Sequence, residues 1–368
     1  MARRPHLFAV ALCACGPLAR PAPGGAPAPA PESSTDGEIV ERAPCPFPGD
    51  VAAFTAEVED YLTEDLTLAG LDAELAARPI VTLFPPSDHA RLVDAAGAGR
   101  CERVVYRSGE LRVVGFVLRP PGPAPRDGHP VILWLRGGNR EFGRIGPYHL
   151  AQMLDLADAG FVIVATQYRG VDGGDGADEL AGRDVADVHA LVPLARGLPD
   201  VDATRLFLLG NSRGAISGLV AMRQGLPVRA AAFRGGVYDL ERAVRERPDL
   251  EPVYGELIPE WTSDRAGALR RRSAIRWLGS LHAPILLLHG RQDWRVSLDS
   301  ALAFHLALDQ TDLEHALVIY ERDEHQLAFH RRAWLAEATS WFRRHGAFAG
   351  APTPPAPAGA TTPAPPTR

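Results

Sequence analysis

The sequence lacks the patterns that mark several common classes of protein. It has no glycine-rich phosphate loop, no dinucleotide-binding fingerprint and no histidines at metal-ligand spacing. The net charge of −6 is mild, the basic residues are scattered, and residues 270–272, three arginines, are typical of a solvated helix face. No internal repeat is evident. We therefore expect no cofactor, no metal ion and no nucleic-acid partner.

The apolar run at the N-terminus, residues 7–14, is too short to span a membrane as a helix. It follows a basic start, residues 1–6, and precedes a stretch rich in proline, alanine and glycine. This order is typical of a secretory signal, so we predict a signal peptide over residues 1–14 and an exported protein.

The end of this signal resembles the lipobox of bacterial lipoproteins. In residues 12–15, Leu-Cys-Ala-Cys, Cys15 would be lipidated and become the first residue of the mature protein, although Cys13 departs from the usual pattern. Ordinary cleavage by signal peptidase is the alternative. We expect a cell-envelope protein that meets the membrane only through a lipid on Cys15, or else a periplasmic or extracellular one.

Cysteines are few, four in 368 residues. If Cys13 leaves with the signal and Cys15 is lipidated, Cys45 and Cys101 remain. An exported protein meets an oxidising compartment, so these two could form a disulfide that joins the N-terminal segment to the hairpin that follows. Two separate buried thiols are the alternative, because sequence spacing decides neither distance nor connectivity.

Proline, alanine and threonine dominate both ends of the chain. Residues 15–46 and 349–368 are too rich in them to form a core, so we predict a disordered tether and a disordered tail. Residues 47–100 are predicted to be a small helical segment, with apolar side chains at helical spacing in 51–77. Residues 101–348 suit one α/β domain with a large core.

Within that domain, short apolar runs alternate with helical stretches. Near-continuous apolar strands of this kind predict a mostly parallel central sheet with helices on both faces, opened by an antiparallel hairpin. The runs lie at residues 131–135, 161–165, 206–209, 230–233, 285–288 and 317–320.

The most informative motif is Gly-Asn-Ser-Arg-Gly at residues 210–214. It follows the apolar run 205–209 and opens a stretch of small residues, 215–222, that is typical of a helix. A G-x-S-x-G sequence between a strand and a helix predicts a nucleophile elbow, a strained turn that lifts the serine oxygen above the sheet. Ser212 is therefore a candidate nucleophile.

Two further residues follow strands in the order that such a serine requires. Asp293 comes after the apolar run 285–288, and His325 comes after the run 317–320. Singly, Ser212 could be a helix cap, Asp293 a turn former and His325 a surface residue. Together, at the carboxyl ends of strands, they predict a catalytic triad in which a base activates the serine and a carboxylate orients the base.

Residues 102–344 resemble the catalytic domain of the prolyl oligopeptidase family, within the α/β-hydrolase superfamily. The resemblance implies an α/β-hydrolase fold and a serine hydrolase that forms an acyl-enzyme. Beyond the triad it rests on the opening hairpin 104–116, a glycine-rich loop at 167–175, a helix start at 182–187, and the segments 272–275 and 289–293 before the acid.

In this interpretation Ser212 attacks a carbonyl, His325 acts as base and then as acid, and Asp293 orients the histidine. The oxyanion is met by the backbone N–H of Arg213 and by a second donor from Gly137, Gly138 or Asn139.

Arg136, just before these glycines, has two interpretations. Its guanidinium could pair with a carboxylate of the neighbouring loop, Asp172 or Asp175. Alternatively it could place a positive charge in the pocket, as an oxyanion donor or as a contact to a substrate carboxylate.

The segment 236–280, between the sixth and seventh predicted strands, is longer than a helical crossover needs. It could form a small helical cap over the site, or a crossover whose aromatic residues Tyr238, Trp261 and Trp277 pack on the core.

The substrate is the least determined part of the prediction. Family members that cleave oligopeptides usually carry a propeller before the hydrolase domain, and we expect none here. Small peptides or esters are therefore the expected substrates. A carboxylesterase with no peptidase activity is one alternative. An inactive hydrolase-fold lipoprotein that only binds a ligand is another, although an intact triad argues against it.

Overall fold

The computed structural model describes residues 35–68 and 79–348. Cys15, the predicted signal, most of the predicted tether and the predicted tail lie outside the described residues. Nine strands form one sheet in the order β1-β2-β3-β5-β4-β6-β7-β8-β9. The strands are β1 Ile39–Pro44, β2 Cys101–Ser108, β3 Leu111–Leu118, β4 His129–Leu135, β5 Val162–Thr166, β6 Val201–Asn211, β7 Ala230–Arg234, β8 Ile285–Gly290 and β9 His315–Tyr320.

The sheet is mostly parallel, as the apolar runs predict. Strands β1, β2, β3 and β5 pair antiparallel in that order, whereas β5, β4, β6, β7, β8 and β9 are all parallel neighbours. The β2–β3 hairpin is the predicted antiparallel start, and every residue of β4 is buried. The predicted α/β-hydrolase architecture is confirmed.

Helices connect the strands. They are α1 Val51–Leu68, α2 Pro86–Gly97, α3 Pro147–Asp158, α4 Val185–His189, α5 Leu191–Arg196, α6 Arg213–Arg223, α7 Leu240–Glu246, α8 Glu251–Leu257, α9 Arg265–Arg271, α10 Leu298–Leu308 and α11 Arg331–Arg344, with 3-10 turns at Ile80–Thr82, Pro248–Leu250, Ala274–Arg276 and Leu278–Ser280. Across residues 35–68 and 79–348, none of these helices is both long and apolar enough to cross a membrane.

Alternate side chains of the central strands pack into two separate hydrophobic cores, one on each face of the sheet. In β4, Val131 and Leu133 belong to the core beneath α4, α5, α6 and α10, whereas Ile132 and Trp134 belong to the core beneath α1, α2, α3 and α11. Both faces of the sheet are therefore covered, and the polar ends of the strands are left as the place for a site.

One strand falls inside the predicted tether, which is a correction. β1 pairs along the edge of β2, with Glu41 opposite Val105 and Pro44 opposite Glu102. Apart from the half-buried Ile39, the side chains of β1 are exposed. Backbone hydrogen bonds rather than buried side chains hold this edge strand. The pattern of apolar residues therefore does not predict it. Consequently the long crossover lies between the seventh and eighth strands.

The helical segment that precedes β2 packs on the domain. Phe54, Val58 and Leu62 of α1 are fully buried, at the helical spacing that the sequence shows. Tyr61 stacks on Tyr148 of α3, with 4.6 Å between ring centroids. Residues 69–77 of the predicted segment lie outside the described residues.

The crossover 236–280 holds α7, α8 and α9. Its aromatic side chains pack on the domain: Tyr238 stacks on Phe304 at 4.5 Å, and Trp277 lies under the guanidinium of Arg223 at 4.9 Å. Trp261 is partly buried against the core. The packing of these aromatic residues agrees with the crossover interpretation. Helices α7 and α8 also form one wall of the cavity described below.

Cys45 and Cys101 form a disulfide, which decides between the two interpretations of these residues. It joins the segment after β1 to the first residue of β2, and both cysteines are buried. The disulfide therefore closes a loop that contains α1 and α2.

Removing this disulfide should destabilise the protein. With a sequence separation of 56 between the cysteines, the chain-entropy model gives a loss of up to about 4 kcal/mol in the free energy of unfolding. Urea denaturation with and without dithiothreitol measures it. In a Cys45→Ser/Cys101→Ser variant the reductant should have no effect, and an equal midpoint for oxidised and reduced wild type would contradict the prediction.

Candidate active site

Ser212 occupies the sharp turn between β6 and α6. Its backbone angles are φ 52° and ψ −116°, which a residue with a side chain rarely adopts. Both flanking glycines are required by close backbone contacts. A Cβ on Gly214 would collide with the carbonyl oxygen of Leu135, and one on Gly210 would lie 2.7 Å from that of Gly214. The sequence Gly-x-Ser-x-Gly thus forms the predicted elbow.

Asp293 and His325 meet beyond the ends of β8 and β9. The His325 Nδ1–H donates to Asp293 Oδ2 over 2.8 Å, and both side chains are buried. The other carboxylate oxygen accepts the backbone N–H groups of Arg295 and Val296, each over 2.9 Å. Asp293 is therefore fixed from both sides, with one oxygen free for the histidine.

The electrostatics of this pair favour an ionised aspartate. Burial alone would raise the pKa of Asp293, but the facing His325 and then His289 outweigh it, so the pKa lies below its usual value. Burial lowers the pKa of His289, whose Nε2–H donates to the carbonyl of Val296 over 3.0 Å and lies 3.4 Å from Asp293. The ring of His289 thus supports the loop that carries the carboxylate.

Ser212 and His325 line the same cavity, of about 770 Å³. Asp293 lies behind His325, out of this cavity. The residues predicted to supply the oxyanion donors also line it: Gly137, Gly138, Asn139 and Arg213. The structure therefore brings together the predicted nucleophile, base and oxyanion groups around one space.

The backbone of the loop after β4 approaches the serine closely. A Cβ on Gly137 would lie 3.0 Å from Ser212 Cβ and 3.7 Å from its Oγ, and Gly138 has φ +67°. A side chain at either position would crowd the nucleophile or strain the turn. Arg213 is the first residue of α6, so its N–H points out of the helix N-terminus.

The side chain of Arg213 turns away from the cavity into a buried ion pair. It donates to Asp178 over 2.6 and 2.8 Å and to Asp184 over 2.5 Å, and it lies 4.2 Å from the ring of Tyr168. Asp178 in turn accepts the backbone N–H of Arg140 over 2.9 Å. One ion pair therefore joins the elbow to the glycine loop.

Both predicted roles of Arg136 are wrong. Its side chain is fully buried and does not line the cavity. Instead of a carboxylate, it binds four backbone carbonyls, those of Gly137, Arg140, Phe142 and Gln167, over 2.7–3.0 Å. Burial, and then the charge of Arg213, lower the pKa of Arg136 to about 10.

The inward turn of Arg136 has a physical reason. The loop 137–143 turns tightly, which directs its carbonyls towards one buried point that needs a donor with several N–H groups. The two aspartates that the sequence suggested as partners are bound elsewhere: Asp172 by Arg103, and Asp175 by the backbone N–H of Arg112.

The sequence motifs do not identify several residues of the site. Asp65 of α1 lines the cavity, although its helix precedes the domain in sequence. Gln326, next to His325, lines it as well. Neither residue belongs to a motif, so no signal in a single sequence pointed to them. Asp178 and Asp184 are different, since acidic residues just before and within the predicted helix start could have suggested a partner for Arg213.

The side of the cavity formed by the crossover is mostly apolar, with Glu246 and Arg247 as its charged members. The apolar side chains come from the start of the crossover, from α7 and α8, and from the loop after β8: Val237, Ala243, Leu250, Val253, Tyr254 and Val296. Helix α1 contributes Glu57, Asp60 and Glu64 to the same cavity. The cavity therefore combines mostly apolar side chains from the crossover with acidic side chains from α1.

Among the described residues, one cluster could hold a metal ion. The ligand atoms of His305, Asp309 and His315 all lie within 4.8 Å of one another. His315 already has partners, because its Nδ1–H donates to the carbonyl of Leu313 and its Nε2 lies 3.1 Å from Asp309. None of the three lines the cavity, so an ion there would not touch a substrate bound at Ser212.

Replacing Arg136 should disturb the glycine loop rather than substrate contacts. Arg136→Leu leaves four carbonyls without their donor, at roughly 1–3 kcal/mol for each one that stays buried, so the melting temperature should fall. The displaced loop should also lower kcat at nearly unchanged KM. Calorimetry and steady-state kinetics check both. The control is Arg144→Leu, which lines the cavity with an exposed side chain and should melt like wild type. An unchanged melting temperature for Arg136→Leu would contradict the assignment.

Comparison with known proteins agrees with this geometry. The family model described as "Prolyl oligopeptidase family" matches residues 148–347. The chain is 32% identical to "Uncharacterized peptidase YtmA" of Bacillus subtilis over 229 residues, which cover 62% of this chain and 83% of that protein. Other curated relatives are longer, and the chain spans only 30–39% of their length.

Solved structures show the same fold. Pyrococcus horikoshii acylaminoacyl peptidase superposes with a TM-score of 0.56 at 21% identity, covering 66% of this chain and 41% of that one. Thermogutta terrifontis esterase 2 gives 0.53 at 19% identity, covering 68% of this chain and 96% of that one. Because the family model matches residues 148–347, more than half of the chain, the chain belongs to the prolyl oligopeptidase family of serine hydrolases.

Proposed function

We propose that this protein hydrolyses small peptides or esters through an acyl-enzyme, with Ser212 as nucleophile, His325 as base and Asp293 as the carboxylate that orients it. The observation that carries the proposal is the 2.8 Å hydrogen bond from His325 to Asp293 beside the cavity that Ser212 enters. Because the histidine donates through Nδ1, its Nε2 lone pair is left to accept the proton of the serine.

The chemical steps follow from these positions. Ser212 Oγ attacks the substrate carbonyl while its proton passes to His325. The negative charge that develops on the carbonyl oxygen meets the N–H of Arg213 and a backbone donor from the Gly137–Gly138 loop, each worth ~3 kcal/mol in such sites. His325 then protonates the leaving group, and water, activated by the same histidine, releases the acyl group.

The cavity walls support a substrate with an apolar side chain next to the scissile bond. Val237, Val253 and Tyr254 offer apolar surface within the cavity that contains the serine. The relative YtmA is named as a peptidase, which favours small peptides. The structural likeness to an esterase that covers 96% of that chain keeps a carboxylesterase without peptidase activity as the second candidate.

A panel of matched substrates separates the two candidates. Aminoacyl anilides and aminoacyl esters with the same apolar side chain differ only in the bond that is cleaved. Turnover of the anilides would support the peptidase, whereas turnover of the esters alone would support the esterase. Absence of both turnover and fluorophosphonate labelling would favour the inactive ligand-binding alternative and overturn the proposal.

Ser212→Ala should abolish fluorophosphonate labelling and substrate hydrolysis without unfolding the protein. The shape of the elbow depends on Gly210 and Gly214, and Ser212 contributes only chemistry. Labelling followed by mass spectrometry, with circular dichroism to verify the fold, makes the test. Turnover near the wild-type level in this variant would exclude Ser212 as the nucleophile.

Asp293→Asn should lower kcat by roughly 10⁴-fold, because an amide in this position favours the wrong tautomer of His325. Asp323→Asn is the matched control. Its carboxylate is equally buried, but it accepts N–H groups of Glu324 and His330 in the histidine loop. That variant should melt earlier yet keep kcat per active serine within about tenfold. The reverse ranking of the two variants would move the acid assignment to Asp323.

We also propose that the protein is exported and anchored through a lipid on Cys15. The basic and apolar start of the sequence and the disulfide between Cys45 and Cys101, which an oxidising compartment favours, support this. A Cys15→Ser variant should leave the membrane fraction or accumulate unprocessed. Mass spectrometry that finds an unmodified N-terminus downstream of Cys15 would favour ordinary secretion instead.

A further inference from the structure

Helix α1 forms one wall of the catalytic cavity, although it precedes the matched family segment 148–347. Tyr61 stacks on Tyr148 at 4.6 Å and lines the cavity, as does Asp65 one turn further along. The apolar face of the same helix is anchored in the core. Part of the site is therefore built by an element outside the family segment.

Asp65 is the residue through which this helix reaches the catalytic loops. It is 1% exposed. Its Oδ1 accepts the indole N–H of Trp294 over 3.1 Å and the Nε–H of Arg295 over 2.5 Å, and its Oδ2 accepts the side-chain amide of Gln326 over 3.0 Å. Both oxygens are thus engaged, and the charge is balanced by the guanidinium.

On the acid side, the partners of Asp65 follow the triad carboxylate directly in sequence. The backbone N–H of Arg295 donates to Asp293 Oδ1 over 2.9 Å, while its side chain donates to Asp65. A shift of Arg295 would therefore move a donor that holds the carboxylate of Asp293.

On the histidine side, the partner is the residue after His325. Besides its bond to Asp65, Gln326 has its carbonyl bound by Arg234 over 2.8 Å and its N–H bound to Glu324 over 2.6 Å. The side chain and the backbone of Gln326 are thus both fixed. Because His325 is bonded to Gln326 through the backbone, the same contacts restrict the position of His325.

We infer that Asp65 is a positioning residue: its carboxylate joins the loop of Asp293 to the loop of His325 and so maintains the hydrogen bond between them. The inference rests on the triad proposed above. Because catalytic geometry is sensitive to displacements near 1 Å, which can cost about 10²-fold in rate, losing this link should appear in the chemical step.

The chain supplies a matched control next to Asp65. Glu64 lies on the same helix and binds the same guanidinium, through Arg295 Nη2 over 2.5 Å. Its side chain is half exposed, at 53%, and its described bond is to Arg295, not to Gln326. A substitution at Glu64 therefore tests the effect of weakening α1 docking without breaking the link between the two loops.

The experiment compares Asp65→Ala, Asp65→Asn and Glu64→Gln by kcat and KM per active serine, counted by fluorophosphonate titration. Asp65→Ala should lower kcat by ~10–100-fold, with KM changed less than about threefold. Asp65→Asn keeps the shape and one carbonyl acceptor, so its loss should be smaller. Glu64→Gln should lose less kcat than either Asp65 variant, because it leaves the hydrogen bond between Asp65 and Gln326 in place. Its KM is free to change, since Glu64 lines the cavity.

A merely structural role would give a different pattern. If Asp65 only docks the helix, Asp65→Ala lowers the melting temperature but leaves kcat per active serine within about twofold, and the inference is overturned. Should Asp65→Ala fail to fold, Asp65→Asn decides by the same criterion. Wild-type labelling at Ser212 in the same titration shows that the proposed function holds, so the two failures remain distinguishable.

A double-mutant cycle tests the route through Gln326. Asp65→Ala/Gln326→Ala should lose no more kcat than the more damaging single variant, because both remove the same hydrogen bond. Additive losses would show that the two residues act separately and would overturn the proposed link between the loops.

Discussion

The buried ion pair between Arg213 and the carboxylates of Asp178 and Asp184 is the interaction on which the site depends. It anchors the first residue of α6, directly after the strained serine. Through Asp178 it also reaches the backbone N–H of Arg140 and hence the loop that faces the nucleophile. Breaking a buried pair of this kind typically costs 3–5 kcal/mol, because an uncompensated charge is left behind. That energy exceeds the roughly 1–3 kcal/mol of strain that a backbone such as that of Ser212 stores.

The parts of the site that the sequence predicts are those set by local backbone geometry. Gly210, Ser212 and Gly214 form a motif because their turn permits few other residues, and the acid and histidine follow apolar runs that predict buried strands. The fold was predictable for the same reason, since each central strand is apolar on both faces. Strand β1 was not, because backbone bonds to an edge hold it and its side chains stay in solvent.

Contacts between segments that are far apart in the chain could not be predicted from the sequence. Asp65 is separated by 229–261 residues from the groups it binds, and nothing in the spacing of α1 distinguishes it from its exposed acidic neighbours. Arg136 shows the opposite difficulty. Its position at the end of a strand suggested a functional charge, but the tight loop after it turns its carbonyls inward. Satisfying buried carbonyls then takes precedence over any contact with substrate, and the side chain becomes part of the scaffold.

The reacting groups and the walls of the cavity come from different kinds of secondary-structure element. The groups that would perform the chemistry come from the carboxyl ends of β6, β8 and β9, inside or beside the most regular part of the sheet. The walls come from α1 and from α7 and α8, elements that lie at the periphery of the core. Chemistry requires positions fixed to a fraction of an ångström, which buried parallel strands provide. Recognition of a substrate side chain tolerates larger displacements, so the walls need less rigid support than the reacting groups. Glu57, Asp60 and Glu64 of α1 therefore belong to the less constrained part of the cavity, whereas Asp65 on the same helix is fixed by its bonds to the catalytic loops.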